Sequence, residues 1–160
     1  MSVPALEVRQ VAYSDPLVVP MLTELSHEYW TRYRHTLGDL TEEMRSREFS
    51  PPGGGLLLLL VDGEPIAGGA FRQYDQATAE LKRIWTHSAH RRRGLARRVL
   101  AELEREIADR GYRRIYLTTG PRQPEAKALY LAAGYTPPYD PNLPPERIGK
   151  HPFEKELQLS

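Results

Sequence analysis

The sequence predicts a mixed α/β fold: a mostly antiparallel sheet that contains one parallel strand pair and carries helices on its faces. Three observations lead there. Apolar runs at 56–61 and 66–71 flank Asp62-Gly63, a strong hairpin signal, and a third strand-like run, TAELKRIWT at 78–86, continues the meander. Leu95, Val99, Leu100, Leu103 and Ile107 then recur at helical spacing, and a further strand follows at Ile115 to Thr119. A strand–helix–strand connection makes its two outer strands parallel. With 160 residues, 40% of them hydrophobic, the chain can bury one core, so one domain over 1–160 is expected.

The elements follow in order. Leu6 to Ala12 reads as a short strand. Asp15-Pro16 offers a helix start, and an amphipathic helix is expected from about Leu17 to Arg34, with Leu22, Leu25, Tyr29, Trp30 and Tyr33 on it. Pro20 falls near its first turn, where proline is tolerated. Thr41-Glu42-Glu43-Met44 suggests a second, shorter helix, capped by Asp39 or Thr41. Ser50-Pro-Pro-Gly-Gly-Gly55 breaks the chain before the meander. Gly111 ends the helix that starts near Gly94, and Gly134 closes a last helix at Gln123 to Ala133. A proline-rich connector, Pro137 to Pro145, leads to a final strand at Lys155 to Leu159.

Composition excludes several function classes. The formal net charge is +1, so no surface-wide field for DNA or anionic lipid is expected, and any basic role is local. There is no cysteine, hence no disulfide, thiol nucleophile or cysteine metal site. His27, His35, His87, His90 and His151 show no metal-ligand spacing. No apolar run has signal-peptide or membrane-spanning character, so a cytoplasmic protein without membrane attachment is expected.

The most informative stretch is HRRRGLARRVL at 90–100. Five of the eight residues from Arg91 to Arg98 are arginine. Such a run is often only a solvated face, but this one sits between a strand and a helix. A helix N-terminus offers unpaired backbone N–H groups and the positive end of the helix dipole. A phosphate can approach when the first residues are small, as Gly94 and Ala96 are.

Arg91-Arg92-Arg93-Gly94-Leu95-Ala96 resembles the Arg/Gln-x-x-Gly-x-Gly/Ala signature of the GNAT superfamily of N-acetyltransferases. AELKRIWT at 79–86 is similar to the strand that precedes that loop in many members. EAKALYLAAGY at 125–135 is similar to the family's later helix, with Tyr130 four residues before Gly134. The resemblance spans roughly residues 56–135. It implies binding of acetyl-CoA as co-substrate and a parallel strand pair, 79–86 and 113–119, that splays apart. Backbone N–H groups of Arg92 to Arg97 would hold the pyrophosphate, and Arg91, Arg92, Arg93, Gly94, Leu95, Ala96 and Arg97 form the cofactor loop. The backbone of Ile84, Trp85 and Thr86 would pair with the pantetheine arm. A bulge between Leu81 and Ile84 would help, because strict alternation puts those two on opposite faces. An amide at Ile84 or Trp85 would then polarise the acetyl carbonyl.

The same resemblance assigns the chemistry. Tyr130 matches the usual acid that protonates the departing thiolate, and Glu80 stands where many members carry a glutamate that deprotonates the amine, often through water. Lys82 and Arg83 are near enough in sequence to pair with Glu80 instead. Two departures stand out: Gln123 where asparagine is frequent, able to offer the cofactor similar hydrogen bonds from a longer arm, and Ser88 where proline is common. The expected activity is acetyl transfer to a primary amine by direct attack in a ternary complex, with no metal. The alternatives are a CoA-compound sensor without turnover and, less in keeping with the charge balance, a nucleic-acid-binding protein. Dimers are common in the family, so a homodimer is compatible with this reading.

Overall fold

The computed structural model describes residues 6–33, 47–119, 124–137 and 151–157. Within them one six-stranded sheet follows chain order: β1 (Glu7–Gln10), β2 (Gly55–Val61), β3 (Glu64–Gln73), β4 (Thr78–Thr86), β5 (Arg114–Thr119) and β6 (His151–Glu156). Neighbours are antiparallel except β4 and β5, which are parallel. The helices are α1 (Val19–Tyr33), entered through a 3-10 turn at Pro16–Val18, α2 (Leu95–Asp109) and α3 (Pro124–Ala132). The expected fold class is the observed one. The helix expected at 41–44 and the connector beyond Pro137 lie outside the described residues.

Local chemistry explains the elements. Asp62 (φ 52°) and Gly63 (φ 79°) give the β2–β3 turn the two positive φ angles of a type I′ hairpin. The Asp15 carboxylate accepts the Leu17 N–H at 2.9 Å and caps the first turn. β2 is a continuous leucine run because both its faces are buried. Leu57 and Leu59 join Phe71, Leu103, Ile115 and Tyr130 on the α2 and α3 side. Leu56, Leu58 and Leu60 join Met21, Phe49 and Trp85 on the α1 side. Leu95, Val99, Leu100, Leu103 and Ile107 of α2 are all buried, as their spacing predicts.

The last strand departs from expectation. It covers His151–Glu156 rather than Lys155 to Leu159, because it pairs with the whole of β5, from Thr119↔His151 to Arg114↔Glu156. Pro152 argues against a strand when the sequence is read alone. It is accommodated because β6 is the last strand of the sheet.

Two irregularities prepare a site. The parallel ladder joins only Thr78↔Arg114, Ala79↔Ile115 and Glu80↔Tyr116. β4 and β5 both run on beyond it without pairing, so they diverge and leave a gap inside the sheet. On its other edge β4 carries a bulge: Gly68 faces Trp85 and Ala70 faces Lys82, three steps against two. Arg83 sits in the bulge at φ 58°. The expected bulge between Leu81 and Ile84 is therefore present, and it lets both side chains face the α2 side. Gly69 lies opposite. A Cβ there would stand 2.7 Å from Ile84 Cδ1 and 2.8 Å from Leu103 Cδ1, so the glycine lets α2 close on the bulge.

Candidate functional site

α2 begins without a side-chain cap. Its N-cap is Gly94, at φ 75°, and the first main-chain bond of the helix is Arg98 N–H to the Gly94 carbonyl, 3.2 Å. The N–H groups ahead of it are left for an outside acceptor. Nothing stands within 4 Å of the position a Gly94 Cβ would take, so the space before the helix is open. Arg92 is also left-handed, at φ 65°. Arg91, Arg92, Arg93 and Arg97 are exposed, while Leu95 is buried and anchors the loop. Arg98 pairs with Glu102 at 3.0 Å and Arg93 meets His90 Nδ1 at 3.3 Å. Arg91, Arg92 and Arg97 have no ion-pair partner among the described residues. The whole is a run of donors and unpaired cations at the positive end of a 15-residue helix.

The gap leads towards that helix end. His87 N–H donates to the Ile66 carbonyl at 2.8 Å, which continues the Trp85↔Gly68 register. Strand alternation then turns the Trp85 backbone to β3 and the Thr86 backbone into the gap. The bulge at Arg83 re-aims the chain around Ile84. Of Ile84, Trp85 and Thr86, Thr86 turns its backbone into the gap and Ile84 follows the bulge. Trp85 instead buries its indole on the α1 side.

At the closed end of the gap lies an open cleft of about 770 Å³. β4 and β5 contribute Glu80, Lys82, Tyr116 and Thr118, β3 contributes Arg72 and Gln73, and Arg47 to Gly54 form the opposing wall. α2 holds that wall from its far end: Arg110 Nη1 donates to the Pro52 and Gly54 carbonyls, each at 2.9 Å, and the Tyr112 hydroxyl donates to the Gly53 carbonyl at 2.7 Å. Glu80, with a side chain only 8% exposed, takes Arg72 Nε on Oε1 at 2.9 Å and Lys82 Nζ on Oε2 at 3.4 Å. Arg72 also binds Glu48 at 2.9 Å. Burial works against the Arg72 charge, but its bonds to Glu80 and Glu48 outweigh burial and strengthen that charge. Burial pushes Lys82 below the ordinary lysine range, with the Arg72 and Arg83 charges adding to the effect against the pull of Glu80.

Tyr130 is buried on the opposite, α2 and α3, side of the sheet, edge-on to Tyr135 at 5.7 Å and tilted against Phe153 at 5.8 Å. Lys155 ties this corner together, binding Glu104 at 2.6 Å and the Ala133 carbonyl at 2.9 Å. Glu80 and Tyr130 thus come to the splayed strands from opposite faces. Gln123 and the side chains of Tyr29, Trp30 and Tyr33 lie outside what is described.

Sequence reasoning missed Arg72 and Glu24. It looked for partners of Glu80 among its sequence neighbours: Lys82 does meet it, at 3.4 Å, whereas the Nε of Arg83 is buried without an acceptor. Glu24, on α1, accepts three hydrogen bonds: from Trp85 Nε1 at 2.9 Å, Ser88 N–H at 3.0 Å and Ser88 Oγ at 2.7 Å. It fastens the end of β4 and the start of the arginine loop to α1. A proline at 88 would have no N–H to give. Burial opposes the Glu24 charge, but the Ser88 and Trp85 bonds win and hold its carboxyl below the usual range. Only Ser88 in place of proline hinted at this.

Comparison with known proteins bears on this geometry. A profile of the acetyltransferase (GNAT) family matches residues 20–135. The uncharacterized N-acetyltransferase YsnE of Bacillus subtilis is 35% identical over 77 residues, which are 46% of this chain and 51% of that protein. The chain thus aligns with about half of that relative. An acetyltransferase of Thermus thermophilus superposes with a TM-score of 0.73 at 22% identity, covering 98% of this chain and 100% of the other. A GNAT family acetyltransferase of Elizabethkingia anophelis, solved with acetyl-CoA bound, gives a TM-score of 0.67 at 14% identity over 95% of this chain and 98% of the other. A splayed parallel pair, a bulged strand before an uncapped helix and a profile match over most of the length converge: the chain belongs to the acetyltransferase (GNAT) family.

Proposed function

We propose that the protein is an N-acetyltransferase that moves the acetyl group of acetyl-CoA to a primary amine by direct attack in a ternary complex. The observation that carries the reading is the uncapped N-terminus of α2, set at the mouth of the gap that opens beyond Glu80 and Tyr116. The N–H groups that follow Arg92, with Arg91, Arg92 and Arg97 around them, fit a pyrophosphate. The free backbone of Thr86 and the bulged backbone at Ile84 fit the amides of a pantetheine arm, as an added strand would. In this reading the arm runs through the gap, and the amine enters from the cleft.

The amine nitrogen then attacks the acetyl carbonyl carbon, and the carbon–sulfur bond breaks. An amide at the bulge steadies the negative oxygen. Tyr130 gives its proton to the departing thiolate and regains one from solvent. Glu80 takes the proton the amine loses, directly or through water. Both Glu80 oxygens already hold cations, so an amine there competes with Lys82, the longer of the two contacts. Following free CoA with a panel of amines tests the reaction. The proposal expects amine-dependent release of one CoA per acetylated product, and acetyl-CoA binding with no release for any amine would favour a sensor.

A further inference from the structure

Resting on that reading, we infer that the acceptor is a primary amine that also carries a carboxylate, a free amino acid being the simplest case, and that Lys82 and Arg47 receive the carboxylate. Among the described residues the cleft lining holds more cations than anions: Arg47, Arg72 and Lys82 against Glu48 and Glu80. These charges are not equally satisfied. Arg72 spans both carboxylates at 2.9 Å. That leaves Lys82, mostly withdrawn from water, with one contact of 3.4 Å to a carboxylate already bound by Arg72. Arg47 lines the cleft with no ion-pair partner among the described residues.

A half-buried cation such as Lys82 that lacks a full partner raises the free energy of the empty site, and an incoming anion relieves it. Burial and the neighbouring guanidinium groups already work against the Lys82 charge, as a site short of anions requires. The described lining residues have one cation in excess, which suits a monoanion. The arrangement also serves the chemistry. Cations around a bound amine disfavour its ammonium form and so favour the neutral nitrogen that can attack. A polyamine or a protein lysine would bring a further positive charge, or no anion, to the same place.

The test compares each of several amino acids with the amine that differs only by loss of its carboxylate, and includes a polyamine. CoA release is measured at saturating acetyl-CoA, and acetyl-CoA binding is measured separately by thermal shift. The inference expects kcat/KM for the amino acids to exceed that of the matched amines by about tenfold or more. In Lys82→Met the preference should collapse through a raised KM for the amino acids, with the acetyl-CoA shift unchanged. Arg47→Gln, at an exposed position, should weaken the preference in the same sense. Equal or better use of the matched amines or the polyamine would overturn the inference while leaving the acetyltransferase reading in place. So would a preference that survives both substitutions, or acetyl-CoA binding with none of the amino acids accepted. Absence of acetyl-CoA binding would remove both.

Discussion

Tyr130 and Glu80 meet the splayed strands from opposite faces, and each makes a separate prediction. Tyr130→Phe keeps the ring that packs against Tyr135 and Phe153 and removes only the hydroxyl. Acetyl transfer should fall about 10²-fold with acetyl-CoA affinity unchanged, read as CoA release against thermal shift. An unaltered rate would strip Tyr130 of the acid's role. Glu80→Gln should also slow transfer near neutral pH, and part of the rate should return as the pH rises towards the acceptor's own pKa, where no base is needed. A loss that is flat with pH would mean that Glu80 only orders Arg72 and Lys82. At this scale the sequence showed the residues but not their company. Tyr130 and Glu80 stand out because motif-like runs surround them. Arg72 and Glu24 do not, because the contacts that matter, to Glu80 and Glu48 or to Trp85 and Ser88, exist only once the sheet has paired and α1 has docked.

Among the elements, the start of α2 and its tether to α1 decide how the arginine loop is held. Gly94 is left-handed with open space where a side chain would go, so Gly94→Val adds backbone strain of roughly 1–2 kcal/mol without a clash. Denaturant unfolding should show that loss, and acetyl-CoA affinity should fall further than the strain alone explains, because the added methyl groups crowd the phosphate position. Glu24→Gln tests the tether. The folded-state pKa of Glu24 lies below its ordinary value, so its stabilisation is present above about pH 4.3 and is lost as pH falls through the folded value. The substitution should flatten the acid limb of the stability curve below that pH and raise the KM for acetyl-CoA more than it lowers kcat. An acid limb identical to wild type would deny the tether. Element boundaries were legible where periodicity was strong: β4 and the buried face of α2 came out as read. β6 did not, since long-range pairing with β5 selects it against its own Pro152.

For the molecule as a whole, the gap within the sheet is the feature on which the proposed function turns. Sequence alone indicates a parallel pair from the strand–helix–strand order, but nothing local marks where pairing stops. That depends on the bulge at Arg83, on Gly69 letting α2 close, and on the two leucine faces of β2 fixing the sheet between its helices. Among the described residues no helix is long and apolar enough to cross a membrane and no cluster of side chains suits a metal ion. The proposed function rests on acetyl-CoA occupying the gap and the α2 N-terminus. A thermal-unfolding scan with acetyl-CoA, and with ATP as a polyphosphate control, tests this most directly. A ligand specific for the folded state at ~100 times its Kd adds about 2.7 kcal/mol, a rise of several degrees for a chain of this size. That rise is expected with acetyl-CoA and not with ATP. No rise at millimolar acetyl-CoA, or an equal one with ATP, would contradict it.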